Sequence, residues 1–355
     1  MQFLQLLKTS ITTIKKYRKR ILVSLLLFVL LVCAFNYKIL KYAAGQGLGQ
    51  FKITWQSQNI DDVLQSSNTD NITKRKLLFL KKIQQFAIDS FGLSGKNNFR
   101  RVYLPTKDTI RLWVINAANP LELKNYLWQY PIIGAAPYKG FFNKELLAQE
   151  LILLKSKNLD IDVGNVNAWS TLGWFDDPLM YSVLHSPKPY LAETVIHEMV
   201  HATIFVKDSA KFNEGLAEFI GIECAKKILS YCGQTPTEIE EYKLDIQQTE
   251  TFNLFMQNCA KQLQHLYSNP MSAGVILDLK QRLLLRFCSD LKTRKVFNSE
   301  KTKRICNRIL SGKNAYFGGF ITYNSLNDFF KFELKNKFKN NIQLFLQHYK
   351  LKYRK

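Results

Sequence analysis

Two histidines four residues apart with a glutamate after the first, His197-Glu198-Met199-Val200-His201, constrain this chain more than any other feature. Positions four apart on an α-helix fall about 40° from one another, on one face. A helix through this stretch therefore presents two imidazoles one turn apart, the spacing that grips one tetrahedral zinc ion through Zn–N bonds of about 2.0–2.1 Å. Glu198 projects beside such an ion, where a general base must stand. A third ligand has to come from another element. Asn213-Glu214-Gly215-Leu216-Ala217-Glu218 lies just downstream on the next expected helix, and Glu214 is the natural choice. Three protein ligands leave a fourth position for water, the mark of a catalytic rather than a structural Zn2+ site. The competing reading is an ordinary helix face carrying two solvated or core histidines.

The chain has 355 residues, enough for one large domain or two small ones, and its 46 % hydrophobic and 22 % charged content is globular rather than disordered. Its net charge is +22, with the positive residues spread widely and two concentrations at Lys8–Arg20 and Lys331–Lys355. No nucleic-acid motif accompanies this charge, so no nucleic-acid partner is expected, and anionic lipid headgroups are the more economical attraction. The uncharged run Ile21–Tyr37, extendable to Leu40, follows Lys15, Lys16, Arg18, Lys19 and Arg20. Its length and flanks predict a single transmembrane anchor in the cytoplasmic membrane, with the N-terminus in the cytoplasm and the bulk of the chain periplasmic or otherwise extracytoplasmic. A cleaved signal peptide, a lipoprotein signal at Cys33 and a buried core helix are the alternatives. No A-x-A site follows the run, and Val32 is large for the position before a lipidated cysteine. The expected organisation is a basic N-terminus at 1–20, an anchor at 21–40 and one folded domain at 41–355. Of the six cysteines, 224, 232, 259, 288 and 306 lie outside the anchor; there is no CxxC pair and the sequence does not determine their pairing.

Gly45, Gly47 and Gly49 mark a flexible junction before the domain. Asp61–Leu64 and Lys74–Phe91 read as helices, the second stopped by Gly92 and Gly95. Arg101–Leu104 and Ile110–Ile115 read as a hairpin around a Pro105–Asp108 turn, and Tyr126–Ile133 as an edge strand at most. Asn143 reads as the N-cap of a helix to Lys157. Asp160–Val163 reads as a short strand ended by Gly164. The motif helix is expected from Pro189 to Val206, a second from Phe212 to Gly233, and a helical C-terminal third with stripes at Leu277, Leu279, Leu283 and Leu284 and at Phe329, Phe330, Phe332 and Phe338. The sum is a helix-dominated α+β fold with a small antiparallel sheet.

Several segments besides the histidine motif carry a family resemblance: Tyr42-Ala43-Ala44-Gly45-Gln46, Pro131–Gly134 with Pro137–Phe142, Ser170-Thr171-Leu172-Gly173-Trp174-Phe175-Asp176-Asp177-Pro178, Phe212-Asn213-Glu214 and Thr322-Tyr323-Asn324. On these residues the chain, over roughly 41–348, resembles the bacterial predicted aminopeptidase family, relatives of the gluzincin metallopeptidases. The resemblance implies a zinc-dependent, thermolysin-like peptidase core, with Glu214 as third metal ligand and Glu218 holding the first histidine from behind, which would fix its tautomer. The short gap from His201 to Glu214 departs from the better-known gluzincin aminopeptidases. So does the absence of a Gly-Ala-Met-Glu-Asn-like motif, the element that binds the substrate's free amine in those enzymes.

The chemistry expected of these residues is hydrolysis of a peptide by water activated at zinc, with Glu198 taking the water's proton and delivering it to the leaving amine. Tyr323, and after it Tyr181, is the candidate oxyanion donor; a buried structural tyrosine is the alternative for each. Ser170–Trp174 is a candidate edge strand for an extended peptide, with Gly173 allowing close backbone approach. Asp176 and Asp177 are candidates for a substrate ammonium, against a plain helix start with Asp177 as N-cap and Pro178 at N1. An anchored scaffolding protein without activity, and a zinc hydrolase acting on a non-peptide amide, are the competing functions.

Overall fold

The computed structural model describes residues 34–95, 99–105, 110–130, 134–166, 178–207, 209–322 and 326–353, with residues 20, 22–24, 26–28 and 31 before them. The chain divides into two compact units, residues 1–50 and 51–355, and the second holds all elements after the first helix.

Helix α1 (Tyr37–Gln56) leads into a short strand β1 (Gln58–Asn59) and helices α2 (Ile60–Gln65) and α3 (Asn71–Phe91). The side chain of Asp70 caps α3 by accepting the N–H groups of Ile72 and Thr73, and Gly92 ends it in the left-handed region at φ 68°. Strands β2 (Arg101–Tyr103), β3 (Leu112–Ala118), β4 (Trp128–Tyr130), β5 (Gly134–Ala136) and β6 (Tyr138–Phe141) follow. Helix α4 (Lys144–Ser156) starts as Asn143 accepts the N–H of Leu146, and strand β7 (Asp160–Val166) returns along β3. After β8 (Leu179–Met180) and α5 (Tyr181–Leu184) come the motif helix α6 (Lys188–Thr203) and its partner α7 (Ala210–Tyr231). The remainder is helical: α8 (Pro236–Tyr267), α9 (Ala273–Arg294), α10 (Ser299–Gly312), α11 (Asn314–Thr322), α12 (Asn327–Asn336) and α13 (Ile342–Lys352).

The helix-rich α+β architecture expected of the sequence is what forms, but the anchor is not. Among the described residues no helix is long and apolar enough to cross a membrane. Helix α1, which takes in the last residues of the expected span, carries Lys38, Lys41 and Lys52 with Gln46, Gln50 and Gln56 and is too polar to be that element. The expected transmembrane element at 21–40 and the single-pass placement with an extracytoplasmic domain are overturned together, and lipid contact through that helix has no support.

Two further corrections concern strands. Leu112 follows Tyr103 by too little chain for two sheets to be guessed, yet β2 pairs with β1 and β8 while β3 pairs with β6 and β7, so the two are not a hairpin. Gly164 does not end its strand. It sits opposite Val114 in the middle of the β3–β7 ladder. The sheet β6-β3-β7 is antiparallel throughout, and β4 and β5 form a separate two-stranded ladder.

Apolar side chains form two cores. The first joins α3, α6, α7, α12 and α13 through Leu80, Ile83, Ile196, Met199, Ile220 and Phe345. The second joins α8 to α11 through Met256, Leu263, Leu284, Ile309 and Phe317. The antiparallel sheet is tied to this second core by buried charge: Lys280 pairs with Asp160 and also donates to the Pro120 carbonyl at 2.8 Å, while Arg308 meets Asp162 at 2.6 Å. Buried ions need such full pairing. All five described cysteines are free thiols, with Cys288 and Cys306 each directing Sγ at the other's carbonyl at 3.7 Å.

Candidate metal centre

Helix α6 buries Leu191, Ala192, Val195, Ile196, Met199 and Val200. That i, i+1, i+4, i+5 stripe turns a second row, Glu193, His197 and His201, towards α7, because residues four apart share a face. The two helices approach closely where α7 carries Gly221. A Cβ there would meet the Glu193 carbonyl at 3.0 Å, so glycine is what allows the spacing.

The connection from α6 to α7 is short, and Asn213 holds it. Its side chain is buried and clamps the backbone of Val206 from both sides, Oδ1 accepting the Val206 N–H at 2.9 Å and Nδ2 donating to the Val206 carbonyl at 2.8 Å. The next residue is Glu214, which this clamp aims back at α6.

Three groups converge as a result. The Nε2 atoms of His197 and His201 lie 3.1 Å apart, and each lies 3.5 Å from one carboxylate oxygen of Glu214. One ligand atom from each residue falls within 4.8 Å of the others, a cluster that could hold a metal ion. The side chains are 25 %, 14 % and 41 % exposed in that order, so the cluster is sheltered by the helices and open on the Glu214 side. His201 Nδ1 is buried and has no hydrogen-bond partner among the described residues, while Nε2 faces the cluster.

The electrostatics follow from this packing. His197 and His201 hold the Glu214 carboxyl far below its ordinary value, at about 2, against the opposing effect of its own burial. For His197, burial opposes protonation, but Glu214, Glu198 and Glu218 together outweigh it and raise the pKa. Burial raises the pKa of Glu218, with His197 pulling it down and Glu214 pushing it up. Glu198 is half-buried beside the pair and its charge acts on His197.

The sequence did not flag two residues that the fold brings here. Glu193, one turn before His197, accepts the Tyr242 hydroxyl at 2.9 Å; burial raises its pKa, and the charges of Glu218 and His197 reach it. The spacing 193, 197, 201 was the available signal. Tyr138, half exposed on β6, has its pKa raised by burial and then by the charge of Glu214. Its segment, Pro137–Phe142, stands out in the sequence, but nothing local points to a role for this tyrosine near Glu214, whose charge reaches it from another element. Tyr181 stands elsewhere: its ring stacks on His185 with centroids 4.0 Å apart, and His185 in turn faces Thr73 of α3. Gly173, Asp176, Asp177 and Tyr323 lie outside the described residues.

A family model described as “Putative aminopeptidase” matches residues 41–353. No curated protein and no solved structure matches the chain.

Proposed function

The chain belongs to this aminopeptidase family, and on that footing we propose that it is a zinc-dependent peptidase whose ion is held by His197, His201 and Glu214. The observation that carries the reading is metrical. A tetrahedral ion with bonds of about 2.0–2.1 Å sets neighbouring ligand atoms about 3.3–3.4 Å apart. Here the two Nε2 atoms are 3.1 Å apart, His197 Nε2 lies 3.5 Å from Glu214 Oε2 and His201 Nε2 3.5 Å from Oε1. One ligand atom from each residue falls within 4.8 Å of the others, within reach of one ion after a small adjustment of the carboxylate. Two neutral imidazoles and one carboxylate are also the donor set that suits zinc while leaving a position open. When bound, the ion supplies Lewis-acid polarisation of a carbonyl and a lowered pKa for water.

The remaining chemistry falls to the chain's own side chains. Glu198 takes a proton from water and returns it to the departing amine, which its place next to His197 in the motif suits. Glu218, half-buried and charge-coupled to His197, orients that imidazole and keeps its proton on the far nitrogen. Tyr138 donates its hydroxyl to the developing oxyanion, taking the part that sequence reasoning gave first to Tyr323. Gly173 and Asp176 are retained as proposed contacts for the peptide backbone and its ammonium.

Hydrolysis of an amino-acid 4-nitroanilide and of its N-acetyl counterpart, each with and without a chelator, tests the reading. Turnover of the free-amine substrate that a chelator abolishes and zinc restores is the expected result. Chelator-insensitive turnover, or none with zinc in excess, would reject it.

A further inference from the structure

A cavity of about 390 Å³ lies away from the ligand cluster, bounded by the first half of α3, the start of α6 and the turn between α7 and α8. Its size is at the small end of ligand sites, which run from about 300 to 1,000 Å³. Helix α3 contributes Ile72, Arg75, Lys76, Leu78, Phe79 and Lys82, most of them spaced three or four apart and therefore on one face. Lys188 comes from the first turn of α6, and Cys232 and Gln234 from the turn at Gly233, whose φ of 71° reverses the chain.

Four cations and no carboxylate line this cavity, and its wall is otherwise largely apolar. Among the described residues none of the four makes an ion pair. Lys76 donates to the Ser186 carbonyl at 2.5 Å and Lys188 to Gln234 Oε1 at 2.9 Å, both neutral acceptors. The charge of Glu238 reaches Lys188, but its Oε2 already accepts the N–H and hydroxyl of Thr235, closing the α8 capping box. Burial and the neighbouring Lys188 lower the pKa of Lys76, so the cavity holds positive charge at a cost that an anion would relieve. The positive end of the α6 dipole points the same way. Phe79, Ile72 and Leu78 give an apolar body something to lie against.

We propose that this cavity is a binding site for an anionic amphiphile, a phosphate or carboxylate head group seated among Arg75, Lys76, Lys82 and Lys188 with its apolar part along Ile72, Leu78 and Phe79. The site is separate from the proposed zinc chemistry and does not depend on it.

Titration calorimetry on the full chain with decyl phosphate below its micelle concentration tests this, alongside inorganic phosphate and uncharged decyl glucoside. Decyl phosphate should bind one per chain and at least about tenfold tighter than either control, since a charge-assisted contact and the buried chain each suffice for such a factor. It should also slow alkylation of Cys232 by a maleimide, read at that residue by mass spectrometry. The double variant Lys76→Gln/Lys188→Gln should weaken binding about tenfold or more. Arg75→Gln/Lys82→Gln, at two exposed positions that leave the core untouched, should do the same and carries the test if the first pair fails to fold. Inorganic phosphate binding as tightly as decyl phosphate, unchanged affinity in the charge variants, or no protection of Cys232 would each overturn the proposal. Co-sedimentation with phosphatidylglycerol vesicles that survives in the variants, without decyl phosphate binding, would assign the attraction to the general surface charge and overturn it equally.

Discussion

His197 and His201 hold their Nε2 atoms 3.1 Å apart across one turn of α6. Two imidazole lone pairs do not face each other at that distance without a shared proton or a cation between them. The Glu214 carboxylate beside both makes a cation the economical solution, and the proposed chemistry grows from that arrangement.

Glu198→Gln should keep zinc and lose hydrolysis. The change is isosteric and removes the proton acceptor without touching a ligand, so kcat should fall by about 10²–10⁴-fold at nearly constant metal content. Steady-state kinetics beside metal analysis of the same sample decides it. A variant with full turnover removes Glu198 from the mechanism.

Tyr138→Phe separates the two tyrosine assignments. If the phenol meets the oxyanion, kcat should drop by about 10²-fold with KM little changed, while Tyr181→Phe should leave both near wild type. An equal loss in both variants, or in neither, would contradict the placement of Tyr138.

Asn213→Ala tests how the third ligand is held. Losing both bonds to Val206 takes away its N–H partner and leaves its carbonyl only the Ser209 N–H at 3.3 Å, a cost of about 1 kcal/mol or more, readable as a lower denaturant midpoint. Zinc affinity should fall with it, because Glu214 is the next residue. Lost stability with unchanged zinc affinity would show that the clamp serves only the fold.

Much of this was legible in advance, and the reasons differ by residue. An i, i+4 histidine pair with a glutamate after its first member is a local pattern, and Asn213-Glu214 follows it closely, so the ligand cluster could be expected from sequence. Caps at Asn143 and Gly92 were local too, since one side chain or one left-handed φ settles each. Strand partners were not, because β2 and β3 are neighbours in sequence but belong to different sheets, a choice made by distant Leu179 and Phe141. That the charge of Glu214 reaches Tyr138 was hidden for the same reason, although its segment stands out in the sequence. The misread anchor had another cause: an apolar run beside a basic flank reads as a span, whereas among the described residues no helix is long and apolar enough to be one, and helix α1, which takes over at Tyr37, is rich in lysine and glutamine.

Metal affinity should depend on pH in a direction set by His197. Its pKa is raised above the ordinary 6.5, so in the metal-free protein a proton occupies the ligand until the pH passes that raised value. Zinc affinity should therefore weaken as pH falls, beginning above 6.5, whereas Glu214, ionised down to about 2, adds nothing over this range. In the metal-free protein the stabilisation from protonated His197 is complete below 6.5 and lost as pH rises through the raised value. Competition against a metallochromic indicator from pH 5.5 to about 8.5 checks this. Affinity flat across that window would mean that His197 is not a ligand.

The most direct measurement is zinc content by mass spectrometry of the full chain, loaded with zinc and dialysed, compared with His201→Ala and Glu214→Ala. The account predicts one zinc per wild-type chain, a small residue in each variant, and circular dichroism unchanged among the three. A metal-free wild type, or variants that carry as much zinc as it does, would contradict it.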